Sequence, residues 1–223
     1  QKIGDVLICA PSNAAVDGLA NRCRKAGLNV LRFQPMNKAA SPGLDVSCSM
    51  ETAIESALDD PTDCSNWSKF VALRRGVVDL NPSDAAEFAQ LWNKGARAAI
   101  ERADIVACTC SSSCHKLILE RAYTFCLIDE AAQATETDIL GPASRGVQRL
   151  VLIGDHLQLG PVVPCRSAKA AGLGTSAFER YILRGFECHM LRTQYRMHPT
   201  ISNFPAAQFY NGELKDGVTA ADR

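Results

Sequence analysis

The sequence predicts an α/β fold built on a parallel sheet, and three observations carry that expectation. Short apolar runs recur along the chain, at Asp5 to Ala10, Asn29 to Phe33, Asp104 to Cys110, Phe125 to Ile128 and Arg149 to Ile153. Within them VLICA, FCLI and LVLI show no polar alternation, which is the pattern of strands covered on both faces. Helical stretches lie between the runs, so strand, helix and strand already succeed one another between Asp5 and Phe33.

After the first run comes Pro11, and either Ser12 or Asn13 is placed to cap a helix. Val16, Leu19, Ala20 and Cys23 then recur on one helical face, and Lys25 and Gly27 mark the end. From about Asn37 to Ala103 the strand signal is lost. A short helix is expected over Met50 to Leu58, with Asp59-Asp60-Pro61 as its stop. A longer one follows Asn81-Pro82-Ser83-Asp84, where proline suits the first helical position and Phe88, Leu91, Trp92 and Ala99 line one side. This stretch reads as a helical insertion in the sheet domain. Arg74-Arg75 and the series Lys94, Arg97 and Arg102 either present positive charge on it or form a solvated helix face.

Composition narrows the function classes. The 223 residues are 47% hydrophobic and 22% charged, which is globular usage and excludes a disordered tail or a collagenous repeat. Lys and Arg number 24 against 24 Asp and Glu, so bulk positive charge is not available to hold nucleic acid, although a local basic groove is. No apolar run approaches the length of a membrane span and no leader opens the chain, so a soluble, cytoplasmic protein is expected. Gln1 stands where Met would, and a strand-like run begins almost at once, so a piece of a longer protein is expected. Ten cysteines raise the question of a disulfide framework, but Cys9 and Cys126 sit in apolar runs as small hydrophobes. Cys108, Cys110, Cys114 and His115 are spaced poorly for zinc, and reduced structural thiols are the reading taken.

The chemistry-bearing residues follow the strands. In FCLIDEAAQ an apolar run passes directly into Asp129-Glu130, at the carboxyl end of a strand, where open parallel sheets bind ligands. In phosphoryl-transfer sites such a pair holds a metal ion and accepts the proton of attacking water; the alternative is a pair that caps the next helix. RLVLIGDHLQLGP repeats the arrangement, with Asp155, His156 and Gln158 beyond Gly154. A glutamine there can orient water or touch a terminal phosphate, whereas His156 reads as a packing or hydrogen-bonding residue. In LRTQYRMHP, Tyr195 offers a face for a base and Arg196 a planar fork for a phosphate.

Taken in order, CAPSNAAVD, ADIVACTC, DEAAQ, GDHLQLGPVV and QYRMHP resemble motifs Ia, Ib, II, III and IV of the superfamily 1 helicases, within the branch that serves nonsense-mediated mRNA decay. The resemblance runs from about Val6 to Arg223 and is poor only between about Asn37 and Arg102, which resembles that branch's helical insertion. It implies a RecA-like nucleotide-hydrolase sheet flanked by helices, an ATP-dependent RNA helicase activity of the 5′-to-3′ type, and ATP and Mg2+ as ligands. It further implies that Asp129 coordinates Mg2+, Glu130 is the general base, Gln158 senses the terminal phosphate, Tyr195 stacks on adenine and Arg196 stabilises transferred charge. Pro11, Ser12 and Asn13, with Thr109, would touch the backbone of single-stranded RNA, and decay factors would bind the full-length protein elsewhere.

The phosphate loop G-x-x-x-x-G-K-[ST] should precede CAPSN, yet the chain has no Gly-Lys dipeptide, and motifs V and VI should follow Arg223. The expected division is therefore 1–36 and 104–193 as two parts of a first RecA-like domain, 37–103 as the insertion, and 194–223 as the start of a second, incomplete one. The isolated chain is expected to be inactive. A related DNA helicase, or an inert module that binds RNA or protein, are the alternatives.

Overall fold

The computed structural model describes residues 5–36, 42–58, 71, 82–144 and 146–222. The chain forms two compact units, 1–178 and 179–223.

The first unit is a five-stranded sheet, all parallel, made of β1 (Val6–Ala10), β2 (Val30–Arg32), β3 (Ile105–Thr109), β4 (Phe125–Ile128) and β5 (Arg149–Leu152) in the order β2-β3-β1-β4-β5. β1 lies at the centre, with Cys9 opposite Cys108 of β3 and Ile128 of β4. Its residues Leu7 to Ala10 are buried because strands flank it on both edges. The expected α/β class and parallel sheet are what the structure has.

Helix α1 (Asn13–Lys25) covers one side of β1. The Ser12 hydroxyl accepts from the Ala15 amide at 3.2 Å, and Arg22, Arg24 and Lys25 in the last turn face the negative end of the helix dipole. Gly27, at φ 81°, turns the chain back toward β2. Val16 and Ala20 pack against Ile8, Ala10, Val30, Ile105 and Ala107. Each of the larger side chains buried there stabilises the fold by about 1.5–3 kcal/mol.

Helix α2 (Met50–Leu58) packs on α3 (Pro82–Arg102), which buries Leu91, Trp92, Ala96, Ala99 and Ile100. Of the expected insertion charges, Arg97 pairs with Glu120 at 2.7 Å and Arg102 donates to the Ser56 carbonyl at 3.3 Å, so both fasten the helices instead of forming a free basic face. Arg74-Arg75, the stop at Asp59-Asp60-Pro61 and the cap at Asn81 lie outside the described residues.

Short helices α4 (Lys116–Leu119) and α5 (Glu136–Ala143) lead into β4 and out of its loop. A reciprocal cap starts α5: the Thr135 hydroxyl accepts from the Asp138 amide at 3.2 Å, and Asp138 accepts from the Thr135 amide at 3.1 Å. Asp129 and Glu130 are therefore not the cap of the helix that follows their strand. LVLI departs from the sequence reading. Leu150, Val151 and Ile153 are 38%, 39% and 41% exposed, because among the described residues β5 ends the sheet and pairs with β4 alone.

Cys9, Cys48, Cys108, Cys110 and Cys126 are buried free thiols, and the Cys9 and Cys108 sulfurs lie 3.8 Å apart across adjacent strands. Contact with Cys108, Cys110 and Cys126, together with burial, pushes the Cys9 thiol well above its ordinary range. Among the described residues no three His, Cys, Asp or Glu side chains are grouped to hold a metal ion, and no helix is long and apolar enough to cross a membrane.

Helix α6 (Ala177–Leu183) spans the division between the units. The second unit pairs β6 (Thr193–Gln194) with β7 (Lys215–Asp216) in parallel, joined through α7 (Pro199–Phe209). His198 caps α7, its Nδ1 accepting from the Thr200 amide at 3.2 Å, and Pro199 takes the first helical position.

Candidate nucleotide and nucleic-acid site

Because all five strands run the same way, the residues after β1, β3, β4 and β5 emerge at one edge of the sheet. Sequence segments far apart in the chain therefore share this edge: Pro11 to Asn13, Thr109, Asp129-Glu130, and Asp155 to Gln158.

The loops after β4 and β5 are joined by main-chain bonds that extend the sheet. The Asp129 amide donates to the Cys9 carbonyl at 2.9 Å, the Ile153 amide to Ile128 at 2.8 Å, and the Ala131 amide to Ile153 at 2.8 Å. Gly154 makes the approach feasible, since a Cβ there would stand 2.8 Å from the Ala132 nitrogen. Asp129 is half-buried and accepts from the Glu130 amide at 3.0 Å, whereas Glu130 is exposed. Glu130 has φ 54°, a left-handed conformation uncommon outside glycine. Gln133 holds the strained turn, its Nε2 donating to Glu130 Oε2 at 2.8 Å and its amide to the Glu130 carbonyl at 2.9 Å. One carboxylate oxygen of Glu130 is thus fixed and the other faces solvent.

In the β5 loop Asp155 organises its neighbours, accepting from the Leu157 amide at 3.0 Å and from Gln158 Nε2 at 2.8 Å. Gln158 is exposed and keeps a second N–H for a ligand. The His156 ring lies 6.4 Å from that of Phe178, which agrees with a packing role.

At the β3 end, the Thr109 hydroxyl bonds within its own turn: it donates to Ser112 Oγ at 2.8 Å and accepts from the Ser112 amide at 3.2 Å. The Thr109 hydroxyl proton is thus engaged by Ser112. Sequence reasoning missed Ser112. It also missed Arg32, although a lone arginine inside the apolar run VLRF was a visible signal.

The second unit carries Tyr195 and Arg196, both exposed, in a turn that Gln194 folds. Gln194 Oε1 accepts from the amides of Arg196 at 2.8 Å and Met197 at 2.7 Å, while its Nε2 donates to the Met197 carbonyl at 2.8 Å and to Asp216 at 2.5 Å. Bonds from Ser202 and Gln194 hold the Asp216 carboxyl below its usual range. The Tyr195 ring lies over Gly217, where a Cβ would come within 2.2 Å of its Cε1.

Two family models, each described as an AAA domain, match residues 83–165 and 173–223. Along nearly its whole length the chain is also similar to members of the superfamily 1 helicase family. Within that family it is similar to Regulator of nonsense transcripts 1 of Caenorhabditis elegans, 40% identical over 220 residues, which is 99% of this chain and 20% of the relative. The Regulator of nonsense transcripts 1 homolog of Arabidopsis thaliana is 37% identical over 223 residues, 100% of this chain and 18% of the relative. The ATP-dependent helicase NAM7 of Saccharomyces cerevisiae is 38% identical over 218 residues, 98% and 22%. The chain thus spans about a fifth of the length of the curated relatives it matches.

Proposed function

We propose that the full-length protein is an ATP-dependent RNA helicase of nonsense-mediated mRNA decay, acting in the cytoplasm and moving 5′ to 3′ on single-stranded RNA. The observation that carries this reading is the single sheet edge on which Asp129-Glu130 and Asp155–Gln158 stand beside Pro11–Asn13. A carboxylate pair and a donor amide are the parts phosphoryl transfer needs, and strand-end hydroxyls and amides suit a sugar-phosphate backbone.

In this reading Glu130 Oε1 takes the proton of the attacking water while Gln133 fixes the other oxygen. The spare N–H of Gln158 donates to the terminal phosphate. Mg2+ suits Asp129, because one half-buried hard carboxylate completed by water and phosphate oxygens is the donor set this ion uses. Bound there, the ion neutralises phosphate charge. Tyr195 stacks on adenine and Arg196 stabilises the transferred charge. Pro11, Ser12, Asn13 and Thr109 line the path of the RNA backbone, the last through Ser112. Residues 1–36 and 104–193 form the first RecA-like domain, 37–103 its insertion and 194–223 the start of the second. Decay factors bind through regions beyond these residues, and residues 1–223 alone do not turn over ATP.

The reading is tested in the full-length protein by RNA-stimulated ATP turnover, with matched RNA and DNA oligonucleotides compared at one salt concentration. Turnover stimulated by RNA and lost in Glu130→Gln supports it. Preference for DNA assigns the chain to a DNA helicase, and turnover unchanged in Glu130→Gln places the base elsewhere.

A further inference from the structure

Arg32 ends β2 and is 1% exposed, with Asp17 of α1 beside it at 6%. A guanidinium so deeply buried is costly unless each donor direction is used. Here each is. Nε donates to Asp17 Oδ1 at 2.5 Å, Nη1 to the Phe33 carbonyl at 2.7 Å, and Nη2 to Asn13 Oδ1 at 2.9 Å. The first two bonds fasten the arginine to α1 and to its own strand. The third reaches out of the core to an exposed residue on the edge assigned above to RNA.

That bond decides which way the Asn13 amide faces. With Oδ1 drawn inward, the Nδ2 group, which has two protons and no acceptor capacity, is turned to solvent. Ser12 is treated alike: its oxygen accepts from the Ala15 amide, which leaves its proton to point outward. Both side chains spend their acceptors internally and present donors at the N-terminus of a 13-residue helix, the positive end of its dipole. Such a surface favours an oxygen acceptor with negative charge and disfavours a donor.

We propose that Arg32 is a positioning residue for RNA binding: from within the core it locks the Asn13 amide with its N–H groups outward, toward a backbone phosphate. This rests on the reading of Asn13 as an RNA contact. It extends that reading to a residue that never touches the ligand. Lysine in place of Arg32 keeps the charge opposite Asp17 but lacks the planar fork that reaches three acceptors at once.

The experiment is a double-mutant cycle in the full-length protein with an oligouridine RNA as the probe, reading RNA affinity, turnover against RNA concentration, and thermal melting. Asn13→Ala should weaken RNA binding about tenfold, the effect of one lost charge-assisted contact. Arg32→Lys should raise the half-saturating RNA concentration by a similar factor with little change in turnover at saturating RNA, and the double variant should bind no worse than Asn13→Ala. A folded Arg32→Lys protein that binds RNA as the parent does, or a double variant whose loss is the product of the two single losses, overturns the positioning role and leaves the Asn13 contact standing. RNA affinity unchanged in Asn13→Ala removes the contact, and the proposal with it. Asn13→Asp keeps an oxygen for Arg32 and turns a second oxygen outward, so it should melt no lower than the parent yet bind RNA more weakly than Asn13→Ala. Affinity equal to that of Asn13→Ala overturns the outward-donor geometry, even if Arg32→Lys does not fold.

Discussion

The two halves of the sheet's carboxyl edge differ in one tie to the core. After β1, Asn13 is set from within by the buried Arg32, while Ser12 and Thr109 bond within their own turns. After β4 and β5, the polar side chains are exposed and are held by their own turns, Glu130 by Gln133 and Gln158 by Asp155. The difference suits the two proposed tasks. A uniform phosphate backbone asks only for fixed donors, which can be preset from the core. A base that must gain and lose a proton needs one oxygen left open to water.

Glu130 carries the heaviest consequence. In the full-length protein Glu130→Gln should lower RNA-stimulated turnover by at least about a hundredfold, the scale of a lost general base, while RNA affinity stays as it was. Steady-state turnover beside a direct RNA-binding measurement separates the two halves. On the opposite side, Asp17→Ala removes the partner of a buried guanidinium and should cost about 3–5 kcal/mol in a urea unfolding curve. If the cost is below about 1 kcal/mol, the core is not what holds that half of the edge.

Two glycines matter less. Gly154→Ala places a Cβ against the Ala131-Ala132 main chain and should cost about 1–3 kcal/mol, with turnover falling more than RNA affinity. Melting temperature and turnover measured together check this. Gly217→Ala should push the Tyr195 ring from its seat and raise the apparent ATP constant a few-fold, read from turnover against ATP concentration.

The strands and α1 were legible in the sequence because their signals are local: unbroken apolar runs, and a helical repeat between Ser12 and Gly27. The carboxylates and the Tyr-Arg pair were legible as motifs. What was not legible depends on contacts between distant segments. VLICA and LVLI look equally apolar, yet the first is central and buried while the second is at the rim, since strand order is a property of the whole sheet. ADIVACTC does not announce that the 3₁₀ turn after β3 brings Ser112 onto the Thr109 hydroxyl. Nothing in DEAAQ announces that Glu130 adopts positive φ, because that follows from the Ala131 amide reaching Ile153.

The rim position of β5 also governs how these 223 residues behave in a tube. Among the described residues its far side has no neighbouring strand, and apolar Leu150 and Val151 flank it half-exposed. An edge of that kind is a template for another chain. Prepared on their own, the residues will associate with one another as concentration rises, and a lysine at Val151 is the natural gatekeeper against it.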